Sequence, residues 1–197
     1  MEIKTYVAGP FMTNTYLIIN DKKGIIVDPT IGLEKYIDDI KKINITAILL
    51  THCHIDHIAS AHLFDAPIYM SKIDAINIKD NRINLSNTFG IPFIFPSNNI
   101  IGLDVEVLSL NNLKIECILT PGHTSGGMCF LINDSLFSGD TLFQVGIGRT
   151  DFPTGNMNDL KKSLLKLKCL PKNTKIYPGH GELSTLEFEL KYNPYLK

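Results

Sequence analysis

The chain has 197 residues, 19 Lys plus Arg against 20 Asp plus Glu, a formal net charge of −1 and 44% hydrophobic residues. That balance excludes the broad basic field on which nucleic-acid binding draws, and no apolar run is long enough to span a membrane, so the expected partner is a small molecule. The length suffices for one well-buried core, and neither a linker nor an internal repeat divides it, so one domain over residues 1–197 is expected.

In chain order, strands are predicted at Ile3 to Val7, Thr15 to Ile19 and Gly24 to Val27, the last two joined by the polar turn Asn20-Asp21-Lys22-Lys23. Leu33, Tyr36, Ile37 and Ile40 recur at helical spacing. The run from Ile43 to Leu50 is apolar, β-branched and short for a helix, and reads as a buried strand closed by Thr51. A helix is expected to open just after His57, over Ile58 to Phe64. Asp80 to Ile101 mixes Asn, Ser and Pro with Ile91-Pro92-Phe93-Ile94-Phe95-Pro96, and reads as a surface connection or a substrate-facing loop. Further strands fit Lys114 to Leu119, Ser135 to Phe137 and Lys175 to Tyr177, and helices fit Leu160 to Leu167 and the segment after Ser184.

The chemistry sits just beyond four of these strands. Five of the six histidines fall in His52-Cys53-His54-Ile55-Asp56-His57, Pro121-Gly122-His123 and Pro178-Gly179-His180, and Asp140 follows Ser138-Gly139. Imidazole and carboxylate suit zinc, iron or manganese, and a fold has little reason to gather so many of them unless a cation compensates their desolvation. If the strand ends converge, rigid elements hold a loop-borne site. His62 stands apart and reads as an ordinary surface or core residue. The cysteines Cys53, Cys117, Cys129 and Cys169 form no C-x-x-C pair, and Met1-Glu2-Ile3-Lys4 leads into no apolar signal core; free thiols in a cytoplasmic compartment are expected, with Cys53 a packing residue.

The ordered set His52-Cys53-His54-Ile55-Asp56-His57, His123, Asp140 and His180 resembles the metallo-β-lactamase superfamily, and the resemblance runs from Asn14-Thr15-Tyr16 and Val27-Asp28-Pro29 to the tail. Gly148-Arg149-Thr150-Asp151-Phe152-Pro153 and the ending through Asn193-Pro194-Tyr195-Leu196 are similar to the short glyoxalase II-like hydrolases. The resemblance implies an α+β fold, the αββα sandwich. It implies two divalent ions, zinc first with iron or manganese as alternatives: His52, His54 and His123 hold one, Asp56, His57 and His180 the other, and Asp140 bridges them. It further implies thioester cleavage by a bridging hydroxide that Asp56 orients, with Asp28 supporting a ligand histidine.

Arg149, in the loop after Asp140, is the candidate anchor for an anionic thioester or ester, or else a structural residue tying down the Asp151 loop. A hydroxyacyl-glutathione is the leading substrate class by analogy, although no C-terminal glutathione-binding domain is expected in a chain ending at Lys197. The alternative on the same fold is a mononuclear iron persulfide dioxygenase using His52, His123 and Asp140.

Overall fold

The computed structural model describes residues 1–91, 93–95, 99–104 and 106–197. One sheet runs in the order β1 (Glu2–Ala8), β2 (Thr13–Asn20), β3 (Lys23–Val27), β4 (Asn44–Leu49), β5 (Ile68–Ser71), β6 (Ile100–Leu103). The second sheet comprises β7 (Val107–Leu110), β8 (Leu113–Leu119), β9 (Met128–Ile132), β10 (Ser135–Gly139), β13 (Lys175–Pro178) and β14 (Ser184–Thr185), while β11 (Leu142–Phe143) and β12 (Gly146–Ile147) form a short ribbon. Its order is β14-β13-β10-β9-β8-β7. The helices are α1 (Ile37–Ile40), α2 (Ile55–Ile58), α3 (Lys72–Asn77), α4 (Met157–Lys168) and α5 (Leu186–Tyr192).

Successive strand residues point to opposite faces, and the central strands are apolar on both. Ile18, Ile25, Ala47 and Leu49 therefore meet Ile115, Phe130, Ile132 and Phe137 of the second sheet. Their neighbours Leu17, Ile26 and Ile48 face outward, onto Leu33, Ile40, Ile55 and Ile58. On the far side of the second sheet, Leu131, Leu136 and Ile176 pack against Leu160, Leu164 and Leu167 of α4 and Leu186 of α5. The layers are helix, sheet, sheet, helix, which is the expected αββα sandwich.

The strand pairing decides where the chain's polar ends emerge. β3, β4, β5 and β6 are mutually parallel, and β10 is parallel to β13, so several carboxyl-terminal strand ends open on one edge. Backbone bonds join the two sheets there: Met128 N–H donates to Thr51 O at 2.8 Å, and Asn14 N–H to Gly179 O at 2.7 Å.

The first predicted strands, the Leu33 to Ile40 helical turn and both late helices lie where their spacing places them. The helix expected to open after His57 is a correction. α2 runs from Ile55 to Ile58 and carries His57 within it, followed by a 3-10 turn over Ala61–Leu63. Its start is set by His54 in extended conformation and by Ile55 N–H donating to Asn84 O at 2.8 Å, a distant partner that local periodicity cannot show. Of the 80–101 stretch, residues 92 and 96–98 lie outside the described residues. No helix among the described residues is long and apolar enough to cross a membrane.

Candidate metal centre

His52, His54, Asp56 and His57 follow β4, His123 follows β8, Asp140 follows β10, and His180 follows β13. All seven meet at the edge where those strands end. Nitrogen and oxygen atoms of His52, His54 and His123 lie within 4.8 Å of one another, and so do those of Asp56, His57 and His180. Asp140 stands between the two groups, with Oδ2 3.4 Å from His123 Nε2 and 3.5 Å from His180 Nε2, and Oδ1 3.4 Å from His57 Nε2.

The hydrogen bonds on the outer ring nitrogens determine what the inner ones can do. His123 Nδ1 lies 2.7 Å from Arg149 O and His180 Nδ1 lies 3.0 Å from Phe11 O; a carbonyl only accepts, so each Nδ1 carries the proton and each Nε2 keeps a lone pair. His57 Nδ1 faces Asp28 Oδ2 at 2.9 Å with the same result. Thr51 gives its hydroxyl proton to Asp28 Oδ2 at 2.6 Å, so its oxygen accepts from His52 Nδ1 at 3.0 Å. In their neutral forms these four imidazoles bring Nε2 lone pairs together beside two carboxylates. His57 Nε2 and His180 Nε2 stand 3.3 Å apart, a repulsive contact unless a cation lies between them. Buried His52 Nε2 and Asp140 Oδ1 have no hydrogen-bond partner, and His54 turns Nδ1 toward His123 Nε2 at 2.9 Å. Such a donor set, short of protons and aimed inward, fits divalent metal ions.

The protonation equilibria reflect the same charge pattern. Burial holds the His52 imidazole well below its usual range and brings His54 down to about 3, with neighbouring imidazoles adding to the effect. Burial acts in the same direction on His57 and His180, but the carboxylates around them outweigh it: His57 is raised well above its ordinary value by Asp56, Asp140 and Asp28, and His180 to about 9 by Asp140 and Asp56. Burial by itself would raise Asp56 and Asp140, yet the surrounding histidines hold both carboxyls well below the usual range. The carboxylates thus favour positive charge at the positions of His57 and His180.

Local backbone makes room for this crowding. A Cβ at Gly179 would overlap Asp140 Oδ1 and approach His57 Cε1 to 2.7 Å. Gly139 has φ +49°, and a side chain there would run into Thr51. Asp28, expected to support a ligand histidine, does so while also accepting from Thr51 N–H at 2.8 Å.

Asp74 is a residue that the sequence reading missed. Fully buried near the start of α3, it accepts from Cys53 N–H at 3.1 Å and from the Thr124 hydroxyl at 2.8 Å. It thereby ties the loop of His52 and His54 to that of His123. The signal was Ser71-Lys72-Ile73-Asp74, in which Ser71 Oγ caps Asp74 N–H, a helix start hidden because this six-residue helix exposes Ile73 and Ile76 and buries Asp74. Asp74→Ala should leave both donors unpaired and lower unfolding free energy by about 2–4 kcal/mol in urea titration; a change under about 0.5 kcal/mol would show the clamp to be dispensable.

Arg149 lies at the cavity wall but is already engaged. Its Nε and Nη2 donate to Asp151 at 2.7 and 2.5 Å, and its guanidinium carbon sits 4.0 Å from the centre of the Phe152 ring. Its carbonyl serves His123. His62 is exposed and bonded to Ala59 O, away from the centre. Cys53 is fully buried with its thiol pushed up by burial, consistent with packing, and all four cysteines are free.

Comparison with known proteins agrees with this arrangement. The profile described as the metallo-beta-lactamase superfamily matches residues 8–180. A probable metallo-hydrolase of Bacillus subtilis, YqgX, is 36% identical over 199 residues, covering 95% of this chain and 94% of that protein. The crystal structure of the BLEG-1 B3 metallo-β-lactamase superposes with a TM-score of 0.91 at 33% identity, covering 99% of each chain. That of TTHA1623 in a di-iron-bound form gives 0.86 at 29% identity, covering 98% of this chain and all of the other. With layers, donor spacing and profile in accord, this chain belongs to the metallo-β-lactamase superfamily.

Proposed function

We propose that the protein is a binuclear thioester hydrolase of glyoxalase II-like type, acting in the cytoplasm on a small anionic thioester or ester such as a hydroxyacyl-glutathione. The observation that carries this reading is the convergence of imidazole lone pairs and carboxylates into two groups with Asp140 between them. His52, His54 and His123 would hold one ion, Asp56, His57 and His180 the other, and Asp140 would contact both. Zinc suits these donors, and the di-iron form of a similar protein keeps iron in contention.

Bound there, divalent ions supply Lewis acidity and bring the pKa of water to about 7. Asp56, kept ionised by its neighbours and held by the Thr13 hydroxyl at 3.0 Å, would accept a hydrogen bond from the attacking water or hydroxide and so orient its oxygen. That oxygen would add to the thioester carbonyl carbon and the C–S bond would break to release a thiolate, which takes up one of the protons lost by the water to leave as a thiol, while the other proton passes to solvent and the acid leaves as a carboxylate. Asp28 and the Arg149 and Phe11 carbonyls keep three imidazoles in a single tautomer throughout. For Arg149 to anchor a substrate carboxylate, that carboxylate would displace Asp151 from the guanidinium.

The test is strictly anaerobic assay of a glutathione thioester with protein whose metal content has been measured. Cleavage with about two ions per chain is expected. Absent cleavage, together with one iron per chain and oxygen uptake driven by glutathione persulfide, would replace the hydrolase by the dioxygenase.

A further inference from the structure

Above the metal centre lies a cavity of about 490 Å³ whose walls, apart from the donor residues, are Phe11, Leu85, Phe89, Phe143, Ile147 and Phe152, with Arg149. Among the described lining residues Arg149 is the one cation besides histidine, and Asp151 already occupies it. A peptide-like, multiply charged thiol would find little here to pair with. The apolar residues, by contrast, form a connected surface. The Phe11 and Phe89 ring centres are 4.6 Å apart, Phe89 and Phe152 are 6.4 Å apart, and Phe152 stands edge-on to His54 at 5.8 Å. This surface therefore starts beside the donors and leads away from them.

Two of its members come from the stretch least readable in the sequence, and the chain there is specially held. Leu85 has φ +67°, a left-handed conformation that a branched side chain seldom adopts. Asn84 fixes it from one side: its amide donates to Ile78 O at 2.8 Å, its side-chain oxygen accepts from Ser86 N–H at 2.9 Å, and its carbonyl accepts from Ile55 at the start of α2. The turn is thus anchored to the helix carrying Asp56 and His57. Leu85 is buried at the cavity floor, and Phe89 is 37% exposed at its rim. Strain of this kind persists only where the surroundings over-determine it, and here it points an apolar side chain at the reaction site.

Resting on the thioesterase reading but replacing the hydroxyacyl-glutathione taken there by analogy, we infer that Leu85, Phe89, Phe152 and Phe11 form an acyl-binding wall and that the substrates are thioesters of apolar acids, medium-chain aliphatic or aryl, rather than short hydroxy acids. An apolar acyl arm laid along the wall is removed from water while its carbonyl stays at the donors. Each fully buried methylene contributes about a fourfold preference.

The experiment compares acetyl, lactoyl, hexanoyl and phenylacetyl thioesters of one neutral thiol, N-acetylcysteamine, on the metal-loaded full chain. Hexanoyl and phenylacetyl should exceed acetyl and lactoyl in kcat/KM by about 30-fold, the value for about two to three buried methylenes on a wall that leaves the rest of the arm in water. Phe89→Ala and, separately, Leu85→Gly should each cut that ratio by about tenfold. Calorimetry supplies a second readout: hexanoate should bind the wild type about tenfold more tightly than acetate, and lose that advantage in Phe89→Ala. A flat or lactoyl-favouring series overturns the wall and leaves the thioesterase standing. No cleavage of any thioester overturns the thioesterase, and the wall is then decided by calorimetry, where equal binding of the two acids rejects it.

Discussion

Asp140→Ala should lower bound metal at both positions and reduce hydrolysis by about a thousandfold or more. The carboxylate lies within 3.5 Å of histidines from both donor sets, His123 on one side and His57 and His180 on the other. Its removal also takes away one of the two carboxylates that raise His180, leaving Asp56 as the remaining counter-charge 3.3 Å from His180 Nε2 and 3.4 Å from His57 Nε2. Elemental analysis beside a thioester assay reads both effects. Full metal occupancy with unimpaired turnover would sink the binuclear assignment.

The second large effect is on stability. A chelator should lower the thermal midpoint by about 10 °C, and added zinc should restore it. An ion at a thousand times its dissociation constant contributes about 4 kcal/mol, and in a chain of this size each kcal/mol moves the midpoint by about 2–4 °C. The structural reason is the inventory of unpaired acceptors. His52 Nε2 and Asp140 Oδ1 are buried without partners, His54 Nδ1 faces His123 Nε2 at 2.9 Å, and Asp28, Asp56 and Asp140 crowd His57. Differential scanning calorimetry with and without chelator measures the shift; an unchanged midpoint would mean that the donors are satisfied without a cation.

These two results separate function from architecture, because the donor residues contribute little to the cores. The three apolar clusters account for the layers, and the donors sit at the edge where those layers end. Asp28 and Asp74 join the two: each is buried in the scaffold, and each bonds a loop that carries donors. Loss of either should therefore register in folding as well as in metal binding.

Much of this was legible in the residues. The spacing His52-x-His54-x-Asp56-His57 and the later His123, Asp140 and His180 named the donors, because few structural roles call for those types in clusters after apolar runs. The strands that precede them were readable for the same reason. Elements without such punctuation were not. β9, Met128-Cys129-Phe130-Leu131-Ile132, is buried at every position, and a short continuous apolar run carries no period to tell strand from helix. β5 and β6 are four residues each, too short for alternation to register, and α3 is hidden because it exposes Ile73 and Ile76 and buries Asp74.

The sequence by itself determined the candidate donor residues and the absence of a broad basic field, since these depend on residue type, while the αββα layers followed from the family resemblance that those motifs carry. Tertiary structure alone decided the rest. Parallel pairing of β10 with β13, and of β3 with β4, brings donors up to 128 positions apart to one edge, because hydrogen-bond register is a property of two strands and neither carries it alone. The start of α2 depends on Asn84, the tautomers of His123 and His180 depend on the carbonyls of Arg149 and Phe11, and the cavity's apolar wall depends on the left-handed turn at Leu85. Each of these is a contact between segments distant in the chain, and only the packed fold brings its two halves together.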